Sequence, residues 1–285
     1  MRALTIGRKQ RARGRPDTVS VVLALPPLIF LVALFAFPVA RLLLLSVEGG
    51  SLDHYEKALL DGLYVRVFFD TFRLSALVTV CAVLLGYPVA YFLATARPTW
   101  ATIGLVCVLL PFWTSLLVRT YAWMVLLGRN GPINKTLMDM GWIEEPLRLL
   151  HSEVGVLIGM VHVLMPYLVF PLYAVMRRID HNLLSAAAGL GAPGWQIFLR
   201  VYLPLTLPGV AAGAILVFIL SLGFFITPAL LGGGRVIMIA VLIEQQVREF
   251  LNWGFAAALS AVLLVATLAI SAALNRTTRG ETTWR

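Results

Sequence analysis

Apolar residues follow one another along this chain in long stretches with few polar interruptions. Six stretches reach the roughly 20 residues that a helix needs to cross about 30 Å of hydrocarbon. Their length and their Leu and Ala content, without the alternation of a membrane barrel, predict helices. We expect an all-α polytopic membrane protein with six transmembrane helices, over approximately residues 19–45, 71–96, 101–127, 154–176, 206–230 and 254–275.

Composition supports the membrane assignment and limits the size of any other domain. Hydrophobic residues make up 60% of the 285 residues, charged residues 13%, and the mean hydropathy is +0.88. These values lie outside the usual range for soluble domains. The segments between the spans are too short to sustain a core of their own. We expect one transmembrane domain over 19–275, a basic tail over 1–18 and a short tail over 276–285.

The charged residues between the spans divide by membrane face. The N-terminal tail, alternate loops and the C-terminal tail carry thirteen Lys and Arg against three acids, whereas the opposite loops carry seven against eleven. Because positively charged loops remain in the cytoplasm, this asymmetry predicts cytoplasmic termini. The net charge of +9 follows from this topology and does not indicate a nucleic-acid partner.

The connection between the fourth and fifth spans, residues 177–205, is unusually apolar for a loop. Three consecutive alanines predict a short helix over 183–190, with Asn182 as its N-cap. Gly191 follows, and glycine is suited to ending a helix in a left-handed conformation. A helical knuckle on the cytoplasmic face is therefore expected.

A second short helix is expected in the same loop. Pro193 is suited to the first turn of a helix that continues through Trp195, Phe198 and Tyr202. Pro204 and Pro208 are expected to stop it. Such an apolar loop either docks on another protein or rests on lipid as an interfacial hairpin. The spacing alone leaves both interpretations open.

Small and apolar residues in this loop also form a motif. Its order is Ser-Ala-Ala, three residues, Gly, nine residues, then Val-x-Leu-Pro. It resembles the Glu-Ala-Ala, three residues, Gly, nine residues, Ile-x-Leu-Pro signature of binding-protein-dependent ABC importer permeases, with every spacing kept. The resemblance implies that the ATPase-coupling residues are Ser185, Ala186, Ala187, Gly191, Ala192, Val201, Leu203 and Pro204.

Two positions depart from the signature. Ser185 replaces the usual Glu and removes a carboxylate that, in the family, faces the ATPase. Val201 replaces the usual Ile with little change of volume. The resemblance therefore implies docking of the helix in a groove without a carboxylate salt bridge at the first position.

The resemblance extends beyond the loop to most of residues 19–275. The segments 118–124 and 223–234 are similar to the spermidine/putrescine branch of these permeases. The resemblance implies a type I ABC importer permease fold and a subunit that forms half of a translocation pathway in a bacterial inner membrane. The expected solute is a polyamine, with another small solute, such as an amino-acid-like compound, as the alternative.

The same resemblance implies a set of partners. These are ABC ATPase subunits, a second permease expected to be a different homologous chain, an extracytoplasmic solute-binding protein and membrane lipid. ATP is expected to bind the ATPase, because Gly232-Gly233-Gly234-Arg235 lacks the glycine spacing and the lysine of a phosphate-binding loop. We expect no cofactor, no metal site and no catalytic residue in this chain, and we interpret Cys81 and Cys107 as packing residues.

Ionisable and polar residues at membrane depth are the candidates for the pathway. His162 lies within the fourth span, where it either lines the pathway or bonds a neighbouring helix. Arg41 and Arg119 can extend to an interface, and Asp70 and Arg73 share one helical face and can neutralise each other. The candidate pathway-lining residues are His162, Tyr167, Phe225, Thr227 and Glu244.

Two other classes of function are disfavoured. A self-sufficient secondary transporter or channel needs coupling carboxylates or a filter inside the spans, and no acid lies at mid-membrane depth. An intramembrane enzyme needs a nucleophile and a base in a recognisable setting, and neither Gly-x-Ser-x-Gly nor His-Glu-x-x-His occurs. The importer subunit is the favoured interpretation.

Overall fold

The computed structural model describes residues 18–47 and 52–280, and every regular element in these residues is helical. The predicted tails lie largely outside them. The helices are α1 (Thr18–Leu45), α2 (Asp53–Leu60), α3 (Gly62–Thr95), α4 (Pro98–Trp113), α5 (Leu116–Leu127), α6 (Pro132–Asp139), α7 (Glu153–Met176), α8 (His181–Gly189), α9 (Gly194–Ile197), a π-helical turn (Phe198–Tyr202), α10 (Leu203–Leu222), α11 (Ile226–Gly232), α12 (Ile239–Arg248) and α13 (Trp253–Gly280).

Five of these helical segments are long and apolar enough to cross a membrane, and a bent pair of segments gives a sixth if the two are counted as one span. The all-α polytopic architecture predicted from the apolar stretches is therefore confirmed. The second span begins earlier than expected, at Gly62, because Asp61 caps α3 by accepting the Leu63 N–H at 2.9 Å. The cap adds two further turns that carry Arg66 and Asp70 among apolar residues.

The third span is broken, whereas the sequence predicted one helix over 101–127. Helix α4 and the segment Leu116–Asp139, which contains α5 and α6, meet at an angle of 102°. The Thr114 backbone N–H and hydroxyl both donate to the Pro111 carbonyl, at 3.2 and 2.8 Å, and Thr114 and Ser115 are extended. Because Thr114 satisfies this carbonyl locally, the helix ends there and restarts at Leu116.

The fifth span also differs from its predicted range of 206–230. It runs from Gly194 to Leu222, and Pro204 does not stop it. The π-helical turn just before this proline bonds the Leu203 N–H to the Phe198 carbonyl, and Pro204 occupies the first turn of α10, where a missing N–H is tolerated. The chain breaks instead at Gly223 and continues as the short helix α11.

Helix α7 is the centre of the bundle and packs between α3 and α10. Gly209 and Gly213 of α10 lie directly on its backbone: a Cβ at Gly213 would be 3.0 Å from the Leu168 carbonyl oxygen. This small-residue spacing allows close helix approach in a membrane, where van der Waals packing replaces the hydrophobic effect between helices.

The two ends of the bundle have separate cores. At one end, Leu93 of α3 and Met176 of α7 share a cluster with Tyr202. At the other, Phe68 of α3 packs with Phe255 of α13. We call the end that carries the loop 177–193 the docking face and the other end the opposite face.

Candidate docking loop and membrane polar patch

We call the loop 177–205 the docking loop; its helix α8 begins at His181, one residue before the predicted cap Asn182. Asp180 is extended, and its Oδ1 accepts the Asn182 N–H at 2.9 Å, so Asp180 is the N-cap. The prediction of Asn182 was wrong because both residues have capping side chains and the backbone selects between them.

The end of α8 matches the expectation for Gly191, whose φ is +84°. The Ala192 N–H donates to the Ala187 carbonyl at 3.2 Å, and the Gly191 N–H donates to the Ala188 carbonyl at 2.9 Å. This pair of bonds is a Schellman motif, which needs a left-handed residue at the glycine position. The spacing from Ala187 to Gly191 in the motif is therefore the spacing that this C-terminal turn of α8 requires.

The surface of α8 is uncovered, since no residue of this helix is buried. Ser185 turns its hydroxyl back to the His181 carbonyl at 3.1 Å, and Ala186 is exposed beside it. Leu190 is 90% exposed and Trp195 is 61% exposed. The knuckle thus presents small and apolar groups in place of the carboxylate that the signature usually supplies.

The second half of the motif connects the knuckle to the bundle. Val201 and Leu203 are half-buried on either side of Tyr202, which is buried. Tyr202 stacks on Phe198, with ring centroids 5.9 Å apart, and packs edge-on against Tyr91 of α3 at 5.4 Å. Aromatic contacts of this kind favour a fixed relative orientation of the two helices.

A polar patch lies among α5, α7 and α11. The Trp123 indole Nε1–H donates to Nδ1 of His162 at 3.2 Å. Thr120 and Thr227 are buried with their hydroxyl oxygens 3.4 Å apart. Thr227 also lies against Gly159, one turn before His162 on α7. His162 therefore bonds a neighbouring helix, which is one of the two interpretations of this residue.

Arg119 belongs to the same patch. Its Nε is buried, and no acceptor bonds this atom within the described residues. Three residues of the segment 118–124 thus bring polar groups to one place: Arg119, Thr120 and Trp123. The segment stood out in the sequence by its resemblance, but the partners of these side chains could not be identified from it.

The other candidate pathway residues are dispersed. Tyr167 packs against Phe112, with ring centroids 5.1 Å apart. Phe225 precedes α11 and is 41% exposed. Glu244 pairs with Arg248 at 3.0 Å on α12. The structure thus unites His162 and Thr227 in the polar patch, and Glu244 forms its ion pair elsewhere.

The ionic contacts of α3 include one that sequence reasoning missed. Asp70 and Arg73 form the predicted pair at 3.9 Å, but Arg73 also donates to Glu153 at 2.6 Å. This bond joins the start of α7 to α3 across the opposite face. Glu153 is in the first turn after the Ser152 cap, which is the only local signal of its position.

A bundle of membrane-spanning helices with an exposed helical knuckle on one face defines a polytopic membrane transport subunit. The chain belongs to the family described as binding-protein-dependent transport system inner membrane component, which matches residues 18–276. It is accordingly a multi-pass inner-membrane permease, a transport component and not an enzyme. The family identified from the loop motif is confirmed.

Curated relatives and solved structures agree with this family. The chain is 39% identical over 207 residues to a spermidine/putrescine transport system permease protein PotB of Haemophilus influenzae, covering 73% of this chain and 72% of the relative. It is 36% identical over 215 residues to PotB of Escherichia coli, covering 75% and 78%.

Among solved structures, the chain resembles one in a bacterial alginate ABC transporter in complex with an alginate pentasaccharide-bound periplasmic protein, with a TM-score of 0.77 at 18% identity over 93% of this chain and 96% of that one. A chain of an amino acid ABC transporter gives 0.51 at 17% identity over 76% and 93%. At these identities the likeness shows the fold alone, which is the predicted ABC importer permease fold.

Proposed function

We propose that this permease forms half of the translocation pathway of an ATP-driven importer and that its solute is a polyamine such as spermidine or putrescine. The observation that supports this solute is the sequence identity of 36 to 39% to spermidine/putrescine permeases over about three quarters of the chain. The acidic balance of the loops on the opposite face agrees with a cationic solute, because it raises the local concentration of cations.

A different small solute is the second candidate. A molybdenum transport system permease protein of Mycobacterium bovis is 34% identical over 163 residues, which cover 57% of this chain. Permeases similar to this chain are therefore also named for a solute that is not a polyamine. The solute that the extracytoplasmic binding protein retains would distinguish the two candidates more sharply than similarity between permeases does.

The proposed assembly contains two ATPase subunits, a second permease and an extracytoplasmic binding protein. The second permease is proposed to be a different, homologous chain. Helix α8 is proposed to lie in a groove of an ATPase, since its C-terminal turn is closed and the described part of the chain buries none of its residues. Both termini are proposed to be cytoplasmic, which places the docking face in the cytoplasm and the opposite face outside.

The knuckle is connected to the bundle by side-chain contacts and by continuous helix. A displacement of α8 reaches α9 and the π-helical turn, whose Phe198 and Tyr202 contact α3. The turn continues directly into α10, which packs on α7. Closure of the ATPases on ATP would then favour one arrangement of these helices, provided that α8 makes different contacts in the two states.

Transport by the assembled complex tests the solute. The permease is reconstituted in vesicles with its ATPase, second permease and binding protein, and uptake of labelled spermidine is measured with and without ATP. We expect ATP-dependent uptake that unlabelled putrescine inhibits and that an amino acid mixture does not. Uptake equal to that of vesicles lacking this chain would contradict the proposal.

Cysteine labelling tests the docking face and the orientation together. Ala187→Cys and Lys135→Cys are made with Cys81 and Cys107 replaced by Ser. In intact cells, a membrane-impermeant thiol reagent should label Lys135→Cys and leave Ala187→Cys unlabelled. A crosslinker should join Ala187→Cys to the ATPase and give no such product from Lys135→Cys. The reverse labelling pattern, or no crosslink at Ala187→Cys, would refute these assignments.

A further inference from the structure

A basic pocket lies on the opposite face, among the loop that follows α5, the segment that precedes α7 and the loop that follows α11. Its volume is about 500 Å³, and its lining includes three arginines and one histidine. We call it the arginine pocket, and its basic residues are Arg129, Arg148, His151 and Arg235.

The arginines of this pocket lack counter-ions among the described residues. The ion pairs among the described residues involve Arg66, Arg73 and Arg248, and all three lie on helices outside the pocket. Glu144 and Glu145 belong to the same loop as Arg148 but do not line the pocket. Three arginines, all exposed, therefore border one cavity whose lining contains no carboxylate.

The backbone before two of these arginines is fixed by one buried amide. Asn134 of α6 is fully buried and donates to the Gly128 carbonyl at 3.1 Å and to the Leu147 carbonyl at 3.0 Å. Its Oδ1 accepts the Leu147 N–H at 2.9 Å. Because Arg129 and Arg148 directly follow these bonded residues, the places where their side chains leave the backbone are set before any ligand arrives.

The other wall of the pocket is joined to the first at His151. The His151 N–H donates to the Leu231 carbonyl at 2.9 Å, although its φ of +58° is unfavourable for a residue other than glycine. The His151 imidazole covers Gly233, where a side chain would collide with the ring. The Arg235 N–H is held by the Gly232 carbonyl at 3.0 Å. Such strain persists only where the surrounding structure imposes it.

The chemistry of the pocket excludes the proposed solute as its occupant. Three uncompensated guanidinium groups repel a polyamine and attract carboxylates, which arginine binds with two parallel hydrogen bonds. A binding protein that holds a polyamine must surround this cation with acidic side chains. The surface of the binding protein near the solute is therefore expected to be acidic. The pocket also adjoins α11, which carries Thr227 of the polar patch.

We infer that the arginine pocket receives carboxylate side chains of the extracytoplasmic binding protein when that protein docks on the permease. This inference rests on the proposed function, which places the opposite face outside the cell. Contact at Arg235 would act three residues from the end of α11. The docking event is thereby connected to a helix that packs against α5 and α7.

The test uses the complete transporter in vesicles of zwitterionic lipid and measures ATPase activity against the concentration of binding protein. The variant Arg129→Gln, Arg148→Gln, Arg235→Gln should raise the half-saturating concentration by about tenfold, with unchanged activity in the absence of binding protein. The matched control Lys135→Gln removes a charge from the same face outside the pocket and should change nothing. A triple Arg→Lys variant, which keeps the charge, should fall between the wild type and the Gln variant.

The outcomes are distinguishable. Equal half-saturating concentrations for the wild type and the Gln variant would overturn the inference and leave the proposed function intact. A wild-type complex that the binding protein does not stimulate would refute the proposed function itself. A defect seen only when anionic lipid is added would assign the pocket to lipid headgroups and also overturn the inference. If the triple variant fails to assemble, Arg148→Gln alone should raise the half-saturating concentration about threefold, and an unchanged value would overturn it.

Discussion

The hydroxyl groups of Tyr87 and Thr206 lie 3.1 Å apart and join α3 to α10. Thr206 is fully buried, and its own hydroxyl also bonds the Leu203 carbonyl at 2.8 Å. The contact lies four residues after the π-helical turn. It therefore holds the start of α10 against α3 at the place where the docking loop enters the bundle.

Removal of the Tyr87 hydroxyl should weaken this connection. Tyr87→Phe is expected to lower the free energy of unfolding by about 1 kcal/mol, since a half-buried hydrogen bond is lost without a large cavity. Thermal unfolding of the purified protein in detergent measures the effect. Tyr91→Phe is the matched control, because the Tyr91 hydroxyl has no hydrogen bond within the described residues. Equal melting temperatures for both variants and the wild type would contradict this role of Tyr87.

The closing turn of α8 should not tolerate a side chain at Gly191. Gly191→Val places a β-branched residue at a φ of +84° and is expected to strain the turn by about 1 to 2 kcal/mol. ATP hydrolysis by the assembled transporter should then continue with little solute uptake, and vesicle assays measure both rates.

Gly189→Val is the matched control for Gly191. A Cβ added at either glycine would have no neighbour within 4 Å, but only Gly191 of the two has a positive φ. The control should therefore retain coupled uptake. Coupled uptake at the wild-type rate in Gly191→Val would show that the left-handed turn is dispensable.

The contact between α10 and α7 should depend on the absence of a side chain at Gly213. A Cβ there would meet the backbone of Leu168, which cannot move as a side chain can. Gly213→Val is expected to destabilise the protein by about 1 to 3 kcal/mol and to reduce the amount of folded protein in the membrane. Ala212→Val, on the exposed side of α10, is the control and should be neutral. Normal folding of Gly213→Val would count against this close packing.

Cysteine accessibility can decide whether His162 lines the pathway. His162→Cys, with Cys81 and Cys107 replaced by Ser, should react with a small hydrophilic thiol reagent in the assembled transporter, and solute should slow the reaction. Leu164→Cys is the control, because Leu164 is buried in an apolar cluster with Leu74 of α3 and Val217 of α10 and should remain unreactive. Failure of His162→Cys to react under turnover would assign it to helix packing through Trp123 alone.

The amino-acid sequence was sufficient for features that are local or additive along the chain. The apolar stretches predicted the membrane class because crossing hydrocarbon requires length and hydropathy, which need no knowledge of neighbours. The turn at Gly191 was equally readable, since a Schellman motif is closed by bonds between residues three and five apart. The family followed from the same short segment.

The element boundaries depended on competition between local and tertiary interactions. Pro204 reads as a helix stop, yet the π-helical turn and the packing of α10 on α7 carry the helix through it. Thr114 reads as an ordinary residue inside an apolar run, yet its bonds to Pro111 end α4. In both cases the sequence contains the residues, but the three-dimensional contacts decide which conformation prevails.

The candidate functional sites also depend partly on local sequence and partly on tertiary contacts. By itself the sequence determined a bundle of membrane-spanning helices with a short helical knuckle, because hydropathy and turn chemistry act over short distances along the chain. The permease family followed from the resemblance of the loop motif. Only the tertiary structure joined Trp123 to His162 across 39 residues, Thr120 to Thr227 across 107, and three arginines around one pocket. Such groupings depend on which helix faces pack together, and that choice is made by close contact between distant segments.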